Sequence, residues 1–316
     1  MKHYLFKLSF SAGISLGDRK LSDSSIGLRA DRLFSAFCIE YLSNNGSLQD
    51  FVSLAKDGDL KLTDAFPFIG EELYAPKPLI SIKAKNEEEG AKKTFKKLKY
   101  VPLTKMQDYA DGKISVDMAE NINSNFKLGK ADLSAKVSIS RAGEDPKPYH
   151  VGVFRFEENT GLYFIASVSN KEVYELLDEL LESLTATGLG GKKSSGYGRF
   201  NVRCEDLPDA IKLDTDAPRY VSLSVGLPRA EEMQSAMNRA SYSIIKRSGF
   251  VASSTYADET PSEGFLRKKD LFVFSSGSVF ANKFEGDVYD VSNGGTHPVY
   301  SYAKPIFLGI EGGKYD

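Results

Sequence analysis

Residues 187–200 read TGLGGKKSSGYGRF and contain five glycines, two adjacent lysines and two adjacent serines. A leucine-rich stripe with helical spacing precedes them, formed by Val173, Leu176, Leu177, Leu180, Leu181 and Leu184. Gly188 suits the left-handed position that ends such a helix. A glycine costs about 0.5–1 kcal/mol of backbone entropy relative to alanine. This density therefore predicts a backbone that turns sharply or approaches another group closely.

The glycine-rich stretch does not match the common nucleotide-binding loops. A P-loop needs a glycine five positions before Gly191, where the chain has Ala186, and the dinucleotide fingerprint needs a glycine where the chain has Lys193. Both motifs also open a helix, whose amino terminus holds the phosphate. This stretch instead follows the carboxyl end of a helix, so neither motif is predicted.

An anion-binding loop is the more specific alternative. The amides of Gly190 and Gly191 can form a concave donor surface, and the neighbouring side chains add charge and hydroxyl donors. Such a loop suits the phosphates of a polynucleotide, which it would contact without reading bases. The residues that would serve are Gly190, Gly191, Lys192, Lys193, Ser194 and Ser195, with Tyr197 and Phe200 as faces for base stacking. A purely structural turn with solvated lysines remains the other interpretation.

The order of elements around this loop predicts an α+β fold. Tyr4, Phe6, Leu8 and Phe10 alternate as in a half-buried strand, and a helix with the sequence ADRLFSAFCIEYL follows. KVSIS and VGVFRF are predicted to form a hairpin, GLYFIASV a strand, and YGRFNVRC the last strand. Ser169 and Glu172 have the spacing of a capping box for the second helix. The predicted order is therefore strand, helix, two strands, helix and strand. This is the order of a ferredoxin-like (RRM-like) unit.

The chain is predicted to hold two such units. The first spans 1–205 with an insertion over about 74–160, in which 74–125 is predicted to be a surface segment with limited structure of its own. The second spans 218–316, is rich in strands, and has a weaker helical pattern. It is interpreted as a degenerate copy of the first.

Composition excludes several functional classes. No apolar run approaches the roughly 18 residues that a membrane span needs, so no membrane contact is predicted. The two cysteines are far apart and the three histidines lack ligand spacing, which argues against a disulfide framework, a metal site or another cofactor. These features predict a cytoplasmic protein with reduced thiols. The net charge of −2 still allows a local basic groove.

These motifs together resemble the RAMP (repeat-associated mysterious protein) superfamily of CRISPR systems. The glycine-rich loop that closes a ferredoxin-like unit is the most specific part of the resemblance. RADRLFSAFCIEYL, KVSISRAGEDPKPYHVGVFRF and SIIKRSGFV are similar to segments of the fourth-subunit family of type III-A effectors. The hairpin departs from the family pattern at Ser140 and Ala142, whereas Arg141 and Gly143 carry over.

The resemblance implies two RAMP domains and binding of the 5′ handle of the CRISPR RNA. It also implies contact with the large polymerase-like subunit and with the backbone RAMP subunit, and target RNA is a further candidate contact. Family members of this kind are regarded as noncatalytic, so the resemblance implies an RNA-binding scaffold. Arg141 would steady RNA beside the hairpin, whose tip would wedge between nucleotides.

Other cations are weaker candidates for RNA contact. Arg32 is predicted to face the groove beside the glycine-rich loop, although Asp31 offers Arg29 and Arg32 a local ion pair. Lys246 and Arg247 are predicted to bind phosphate from the second half, with a solvated strand end as the alternative.

Two lysine-rich stretches are more typical of solvated surface. Eight lysines against three glutamates between residues 83 and 105 form either a solvated face or a contact with RNA or a neighbouring subunit. Arg267, Lys268 and Lys269 are predicted to lie at an exposed strand start.

A metal-independent endoribonuclease that processes CRISPR repeat RNA is the alternative function. Such enzymes use general acid and base groups, among them histidine, tyrosine and lysine. His3, His150 and His297 stand in unrelated parts of the sequence. The carboxylates form no cluster that would suit a metal-dependent nuclease. The sequence therefore favours a binding protein.

Overall fold

The computed structural model describes residues 1–17, 21–23, 25–80, 91–138, 145–213, 215–253 and 267–311. It has the mixed α+β architecture with antiparallel sheets that the sequence predicts. The first half contains β1 (Lys2–Phe10), α1 (Ala30–Ser43), α2 (Leu48–Lys56), β2 (Leu60–Leu62), β3 (Phe66–Ile69), β4 (Glu72–Pro76), α3 (Ala91–Lys97), β5 (Tyr100–Pro102), α4 (Met106–Ala110), α5 (Val116–Asn125), β6 (Gly129–Ser138), β7 (Lys147–Phe156), β8 (Thr160–Val168), α6 (Lys171–Thr187) and β9 (Phe200–Asp206).

The second half is built from short strands. It contains β10 (Arg219–Ser222), α7 (Met233–Met237), β11 (Ile244–Arg247), β12 (Leu271–Phe274), β13 (Val279–Phe280), β14 (Asp287–Asp290), β15 (Tyr300–Ala303) and β16 (Phe307–Ile310). The strands pair as β13-β10-β16, β11-β12 and β14-β15. Over the part of 215–311 that the structure describes, α7 is the one helix, and it is five residues long.

The main sheet has seven strands in the order β5-β4-β3-β8-β1-β9, and β2 also pairs with β8. Every residue of β8 is buried, so this strand lies at the centre. Phe6 of β1 pairs with Phe164 on one side and with Cys204 on the other, and both pairings are antiparallel. Helix α1 follows β1 and helix α6 joins β8 to β9, so residues 188–199 leave α6 beside the edge strand β9.

Both faces of this sheet are covered. Phe6, Leu8 and Phe10 point to one face and pack in a core with the apolar stripes of α1 and α6. Leu5 points to the other face, where it packs with residues of 98–122 and of the second half. The alternation along β1 therefore serves two cores, one on each side of the sheet.

The helix α6 agrees with its predicted stripe, but its cap differs. Val173, Leu177, Leu180, Leu181 and Leu184 are buried. The Asn170 side chain accepts a hydrogen bond from the Val173 amide at 2.9 Å, so the capping box predicted from Ser169 and Glu172 is wrong by one residue. The Asn170 side-chain oxygen satisfies an amide of the first turn, one residue beyond the Glu172 amide that Ser169 would have capped. The helix ends at Gly188, whose φ is +81°.

The segment 74–125 is more structured than predicted. In its described residues it forms β4, β5 and three helices, and Leu98, Val101, Met106 and Tyr109 are buried in the second core. Pro76 and Pro102 stand at the ends of the short strands β4 and β5, where a missing amide is tolerated. Lysines dominate the local composition, but apolar residues between them supply a buried face.

The predicted hairpin is confirmed and is longer than expected. β6 and β7 pair over ten residues each, from Gly129 opposite Phe156 to Ser138 opposite Lys147. Residues 139–144, which include Arg141 and Gly143, lie outside the described residues, as do Ser140 and Ala142. Leu133 and Val137 on β6 are more than half exposed.

The two halves share polar and apolar contacts. The Asp64 carboxylate accepts hydrogen bonds from the amides of Ala30 and Val225, at 2.9 and 3.1 Å. The Leu62 amide donates to the hydroxyl of the buried Tyr302 at 2.8 Å. Among the helices of the described ranges, none is long and apolar enough to cross a bilayer.

Candidate nucleic-acid interface

The base of the glycine-rich loop is fixed by backbone hydrogen bonds. The Leu189 amide donates to the Gly198 carbonyl at 2.9 Å, which closes the loop on itself. The Gly198 amide donates to the Gly13 carbonyl at 2.9 Å, and the Gly191 amide donates to the Ser15 carbonyl at 2.8 Å. Segment 13–17, which leaves β1, is therefore the support on which the loop lies.

Gly198 is required where the loop closes. Its φ is +81°, and a Cβ at this position would lie 1.9 Å from the Leu189 carbonyl oxygen. A backbone oxygen at that distance cannot be accommodated by a change of side-chain rotamer. The close approach of the two backbones therefore depends on the missing side chain.

The tip of the loop presents unused donors. Lys192 adopts left-handed φ and ψ of 57° and 32°, and residues Lys193–Ser195 form a 3₁₀ turn. The amides of Lys192, Lys193 and Ser194 donate to no atom of the residues that the structure describes. Successive amides in such a turn point into one concavity, which is a nest for an anion. Lys193, Ser194 and Ser195 are exposed, so this nest is open to solvent.

Lysines of the loop and of the hairpin add positive charge to this part of the surface. The Lys192 ammonium lies 5.0 Å from the centre of the Tyr149 ring on β7, and Lys193 is exposed at the tip. The Lys136 ammonium on β6 lies 5.5 Å from the Tyr197 ring. The three ammonium groups belong to the loop and the hairpin, so both elements supply charge to the same region.

The two aromatic residues of the loop have a packing role, which corrects the predicted stacking role. Tyr197 is 7% exposed and Phe200 is 3% exposed, so neither ring offers an open face to a base. Tyr197 packs against Val151 and Val153 of the hairpin, and its hydroxyl donates to Ser134 Oγ at 3.0 Å. Tyr197 therefore anchors the hairpin to the loop.

Segment 13–17 joins the loop, the hairpin and the first helix. Ile14 exchanges two backbone hydrogen bonds with Phe154 of β7, at 2.9 and 2.8 Å. The buried Ser15 hydroxyl donates to Gly152 at 2.9 Å. Arg32 of α1 donates from Nη2 to the Gly17 carbonyl at 3.0 Å, which places it on the same support as the glycine-rich loop.

The cations predicted in the second half differ in their surroundings. Arg247 makes a bidentate pair with Asp31 of α1, at 2.8 and 3.0 Å, and both side chains are largely buried. Lys246 pairs with Asp270 at 2.6 Å, and both are roughly half exposed. Arg247 is therefore part of the contact between the halves, while Lys246 stands on the surface.

Asp31 and Arg29 each form an ion pair with a residue that is distant in the sequence. Asp31 contacts Arg247, while Arg29 pairs with Asp64 at 3.3 Å. The pKa of Lys268 is lowered, mainly because the side chain is buried. The positive charges of Arg247 and Arg32 lower this pKa further, and the negative charge of Asp31 opposes the shift. Positive groups thus outnumber negative ones beside the start of α1. Lys268 is partly buried there, whereas the sequence predicted an exposed strand start.

The lysine run lies on the surface where it is described. Residues 83–90 are outside the described ranges. Lys92, Lys93, Lys96 and Lys97 are exposed on α3, as is Lys99 beyond it. Lys97 and Lys99 line a cavity of about 430 Å³ beside Tyr100 and Phe126. The run therefore combines a solvated helix face with one edge of a cleft.

The histidines do not converge on a catalytic arrangement. His3 Nδ1 lies 2.7 Å from Ser167 Oγ between β1 and β8, His150 is on β7, and His297 Nδ1 lies 3.0 Å from the Pro298 carbonyl oxygen. In the described ranges, no group of three or more His, Cys, Asp and Glu residues could hold a metal ion.

Sequence reasoning missed two parts of this interface. The support at 13–17 reads as an ordinary polar loop, although Ile14 and Leu16 alternate with the small residues Gly13, Ser15 and Gly17, which hints at a strand-like edge. The unpaired amides at the loop tip depend on the left-handed conformation of Lys192, which is a non-glycine residue. No sequence signal marks such a conformation at a lysine.

The comparisons with known proteins agree with this structure. A family model described as "CRISPR Csm4 C-terminal domain" matches residues 215–310. Similar curated proteins are each named "CRISPR system Cms protein Csm4". One from Mycobacterium tuberculosis is 40% identical over 310 residues, covering 98% of each chain. One from Streptococcus thermophilus is 33% identical over 325 residues, covering 98% of this chain and all of the other.

Solved structures share the fold at low sequence identity. A chain of the Csm3–Csm4 subcomplex in the type III-A CRISPR-Cas interference complex matches with a TM-score of 0.66 and 19% identity, over 98% of this chain and 100% of the other. A chain of the Csm1–Csm4 cassette in complex with AMPPNP matches with a TM-score of 0.62 and 18% identity, over 100% of each.

Proposed function

Because the chain belongs to the Csm4 family of CRISPR effector subunits, we propose that it is a noncatalytic RNA-binding scaffold of a type III-A effector. In this proposal the glycine-rich loop holds the 5′ handle of the CRISPR RNA. The similar chains come from assemblies with Csm3 and with Csm1. This supports contacts of the present chain with a backbone subunit and with the large polymerase-like subunit, which it would bridge in the cytoplasm.

One observation carries the proposal. Three successive amides of the exposed loop tip, those of Lys192, Lys193 and Ser194, have no acceptor within the described part of the chain. Two of these residues also carry ammonium groups. Donors of this kind fit phosphate oxygens, and contacts with phosphates position a nucleic acid without reading its sequence. Lys136 of the hairpin and Arg32 on the same support extend the positive surface.

The strand order supports a RAMP domain in 1–205. The antiparallel order β9-β1-β8-β3, with α1 and α6 packed in one core, is the order of a ferredoxin-like unit. The unit at 218–316 is proposed to be its degenerate partner, in which strands predominate. The hairpin β6–β7 contacts the loop through Tyr197, and Arg141, which stands between β6 and β7 in the sequence, is proposed to contact RNA.

The geometry gives no specific support to the alternative ribonuclease. General acid and base catalysis needs its groups within hydrogen-bond reach of one scissile bond. His3, His150 and His297 lie on three separate elements. A binding role accounts for the unpaired amides, whereas a cleavage role leaves them unexplained.

Removing the two ammonium groups of the loop tests the proposal. We expect the double variant Lys192→Gly/Lys193→Ala to bind RNA that carries the 5′ handle about 3- to 30-fold more weakly, because two phosphate contacts are lost. Glycine is chosen at 192 because it keeps the left-handed conformation. The plot of log K against log salt should lose about 1.4 units of slope, roughly 0.7 for each phosphate on a single strand. Fluorescence anisotropy at four salt concentrations measures both quantities.

The matched control removes the same charge elsewhere. Lys171 is 80% exposed at the far end of α6, and Lys212 is exposed in the linker before β10. The variant Lys171→Ala/Lys212→Ala should keep both affinity and slope. Equal slopes for the loop variant and the parent chain would contradict the proposal, and so would equal losses for the loop variant and the control.

A further inference from the structure

The cavity beside Tyr100 and Phe126 has a volume of about 430 Å³ and is not part of the glycine-rich loop. Residues of α3, α5 and the base of the β6–β7 hairpin line it, among them Phe154 of β7. Sites for small molecules have volumes of about 300–1,000 Å³, with mostly apolar walls and a few polar groups that fix the ligand. We call this cavity the aromatic cleft.

The apolar wall of the aromatic cleft is flat and has a fixed orientation. The rings of Tyr100 and Phe126 are nearly parallel, with an angle of 6° between them and centres 5.3 Å apart. Tyr74 contacts the Phe126 ring edge-on, at 5.1 Å and 83°. These two ring contacts hold Phe126, which remains partly exposed. A preorganised aromatic surface of this kind suits a flat aromatic ligand that stacks on it.

Three polar side chains of the aromatic cleft have no partner in the part of the chain that the structure describes. The ammonium groups of Lys97 and Lys99 make no ion pair there, and the Asn123 carboxamide makes no hydrogen bond. The other polar side chain of the lining, Ser25, donates to the Leu16 carbonyl at 3.1 Å. Ammonium groups bind phosphate, and a carboxamide both donates and accepts, as the polar edge of a base requires.

The charge around the aromatic cleft favours an anionic ligand. None of its described lining residues is a carboxylate. Residues 81–99, with those outside the described ranges counted, carry seven lysines and three glutamates. Asp117 and Glu120 of α5 are not in the lining, and Glu120 accepts a hydrogen bond from the Thr94 hydroxyl at 3.1 Å. A nucleotide combines a flat aromatic base with an anionic group, and the cleft has a surface for each.

We propose that the aromatic cleft is a nucleotide-binding site. The base stacks on Phe126, and the Asn123 carboxamide binds the polar edge of the base. Lys97 and Lys99 bind the phosphate at the rim of the cleft. The same chemistry is present in a free nucleotide and in one nucleotide of a single-stranded RNA.

The aromatic cleft adjoins the support of the glycine-rich loop. The Ser25 amide donates to the Leu16 carbonyl at 3.3 Å, and Phe154 exchanges two backbone hydrogen bonds with Ile14. Segment 13–17 therefore contacts both the loop and the walls of the cleft. Where the ligand is a base of an RNA strand, the inference rests on the proposed function. Binding of a free nucleotide does not require the loop.

Removing the two ammonium groups of the cleft tests the phosphate contact. We expect the full chain to bind adenosine 5′-monophosphate (AMP), and Lys97→Ala/Lys99→Ala to bind it about 2- to 30-fold more weakly, because two exposed charge contacts are lost. Binding of adenosine, which has no phosphate, should not differ between variant and parent. The matched control is Lys92→Ala/Lys93→Ala, which removes two exposed lysines of α3 outside the lining and should keep the affinity for AMP. Isothermal titration calorimetry measures each affinity.

Replacing Asn123 tests the contact with the base. Asn123→Ala should bind AMP and adenosine about 2- to 10-fold more weakly, the effect of losing one or two hydrogen bonds. Ribose 5-phosphate has no base, so the parent and this variant should bind it equally. The 5′-monophosphate of 2-aminopurine riboside should lose fluorescence on binding to the parent chain, because its base stacks on an aromatic ring.

An RNA hexamer with one 2-aminopurine distinguishes the two sources of the ligand. If Lys97→Ala/Lys99→Ala and Asn123→Ala bind the hexamer more weakly than the parent does, the ligand is a base of an RNA strand. If they bind only AMP more weakly, it is a free nucleotide. If they bind both probes as the parent does, the proposal is overturned.

The loop variant separates this proposal from the proposed function. Lys192→Gly/Lys193→Ala should bind AMP as the parent does. If this variant binds handle RNA more weakly and the cleft variants bind both probes normally, the cleft assignment fails and the proposed function stands. If the cleft variants bind AMP more weakly and the loop variant binds handle RNA normally, the nucleotide site stands and the proposed function fails.

Discussion

A buried guanidinium and carboxylate, Arg247 and Asp31, connect the second half of the chain to the first helix. Their side chains are 12% and 3% exposed, and two hydrogen bonds join them. Taking both charges out of water costs free energy, which the bidentate geometry offsets. Loss of one partner leaves the other charge buried and uncompensated. The pair therefore has more influence on stability than a surface pair such as Lys246 and Asp270.

Arg247→Ala is expected to lower the free energy of unfolding by about 3–5 kcal/mol, because Asp31 then stays buried without its partner. Lys246→Ala, one residue away and half exposed, should change it by less than about 1 kcal/mol. Urea unfolding followed by circular dichroism measures both variants. Arg247→Met combined with Asp31→Leu should recover most of the loss, since no charge remains buried. Similar losses in the two single variants would show that Arg247 does not have this structural role.

The sequence could not show this pair, because its members are 216 positions apart. Local spacing suggested Arg29 and Arg32 as partners of Asp31, and for Arg29 the structure shows a different carboxylate, Asp64. The burial of Tyr197 was hidden for the same reason, since its partners lie on the hairpin. Residue types identified the charged and aromatic positions, but their environments depend on contacts that are distant in sequence.

At the scale of the element, the glycine-rich loop combines a rigid base with an open tip. Gly198 closes the base against the Leu189 carbonyl. Gly196 has a φ of +85°, and beyond its two chain neighbours no atom of the described residues lies within 4 Å of the position that a Cβ would take there. Both positions favour glycine by conformation, but only Gly198 also faces a steric barrier. Alanine at Gly196 would therefore cost only the strained backbone conformation, whereas alanine at Gly198 would cost the conformation and a steric clash.

Gly198→Ala should destabilise the chain by more than about 3 kcal/mol, because a left-handed alanine costs about 1–2 kcal/mol and the clash with the backbone is added. Gly196→Ala should cost only the conformational part. Urea unfolding gives both values, and anisotropy with handle RNA shows whether the loop remains competent. We expect Gly196→Ala to retain most of the RNA affinity and Gly198→Ala to lose it. Equal stability of the two variants would mean that the loop base can rearrange.

Periodicity predicted the elements that bury one clear face. The alternation in β1, the leucine stripe of α6 and the hairpin of β6 and β7 are all present in the structure. The segment 74–125 was misjudged because its apolar residues are spread over short strands and helices among lysines. Each of these elements is too short for a period to stand out, and the burial comes from the sheet and the second half.

At the scale of the whole molecule, the main sheet is enclosed between two cores. The first core mixes β1 and α6 with Val225, Val288 and Tyr302 of the second half. The second core mixes β8 with Val221 and Ile306. A sheet face that is open in a simple RRM-like domain is thus covered here.

Shared cores also predict that both halves unfold together. Tyr302 is fully buried, its ring lies 5.3 Å from that of Phe34, and its hydroxyl accepts the Leu62 amide. Tyr302→Ala should therefore lower the free energy of unfolding by about 3–5 kcal/mol for the first half as well as the second. Hydrogen exchange followed by mass spectrometry, at increasing urea, should show peptides from β8 and β16 losing protection at the same lowered midpoint.

The control for this experiment is Leu133→Ala, because that side chain is 57% exposed on β6 and contributes to neither core. Its midpoint should match that of the parent chain. If Tyr302→Ala lowers the midpoint for β16 and leaves β8 unchanged, the halves unfold as separate units. The contacts of Tyr302 with Phe34 and Leu62 would then contribute little to stability. A common shift instead means that a change in the second half alters the support of the glycine-rich loop, since that loop lies on the exit of β1 from the shared core.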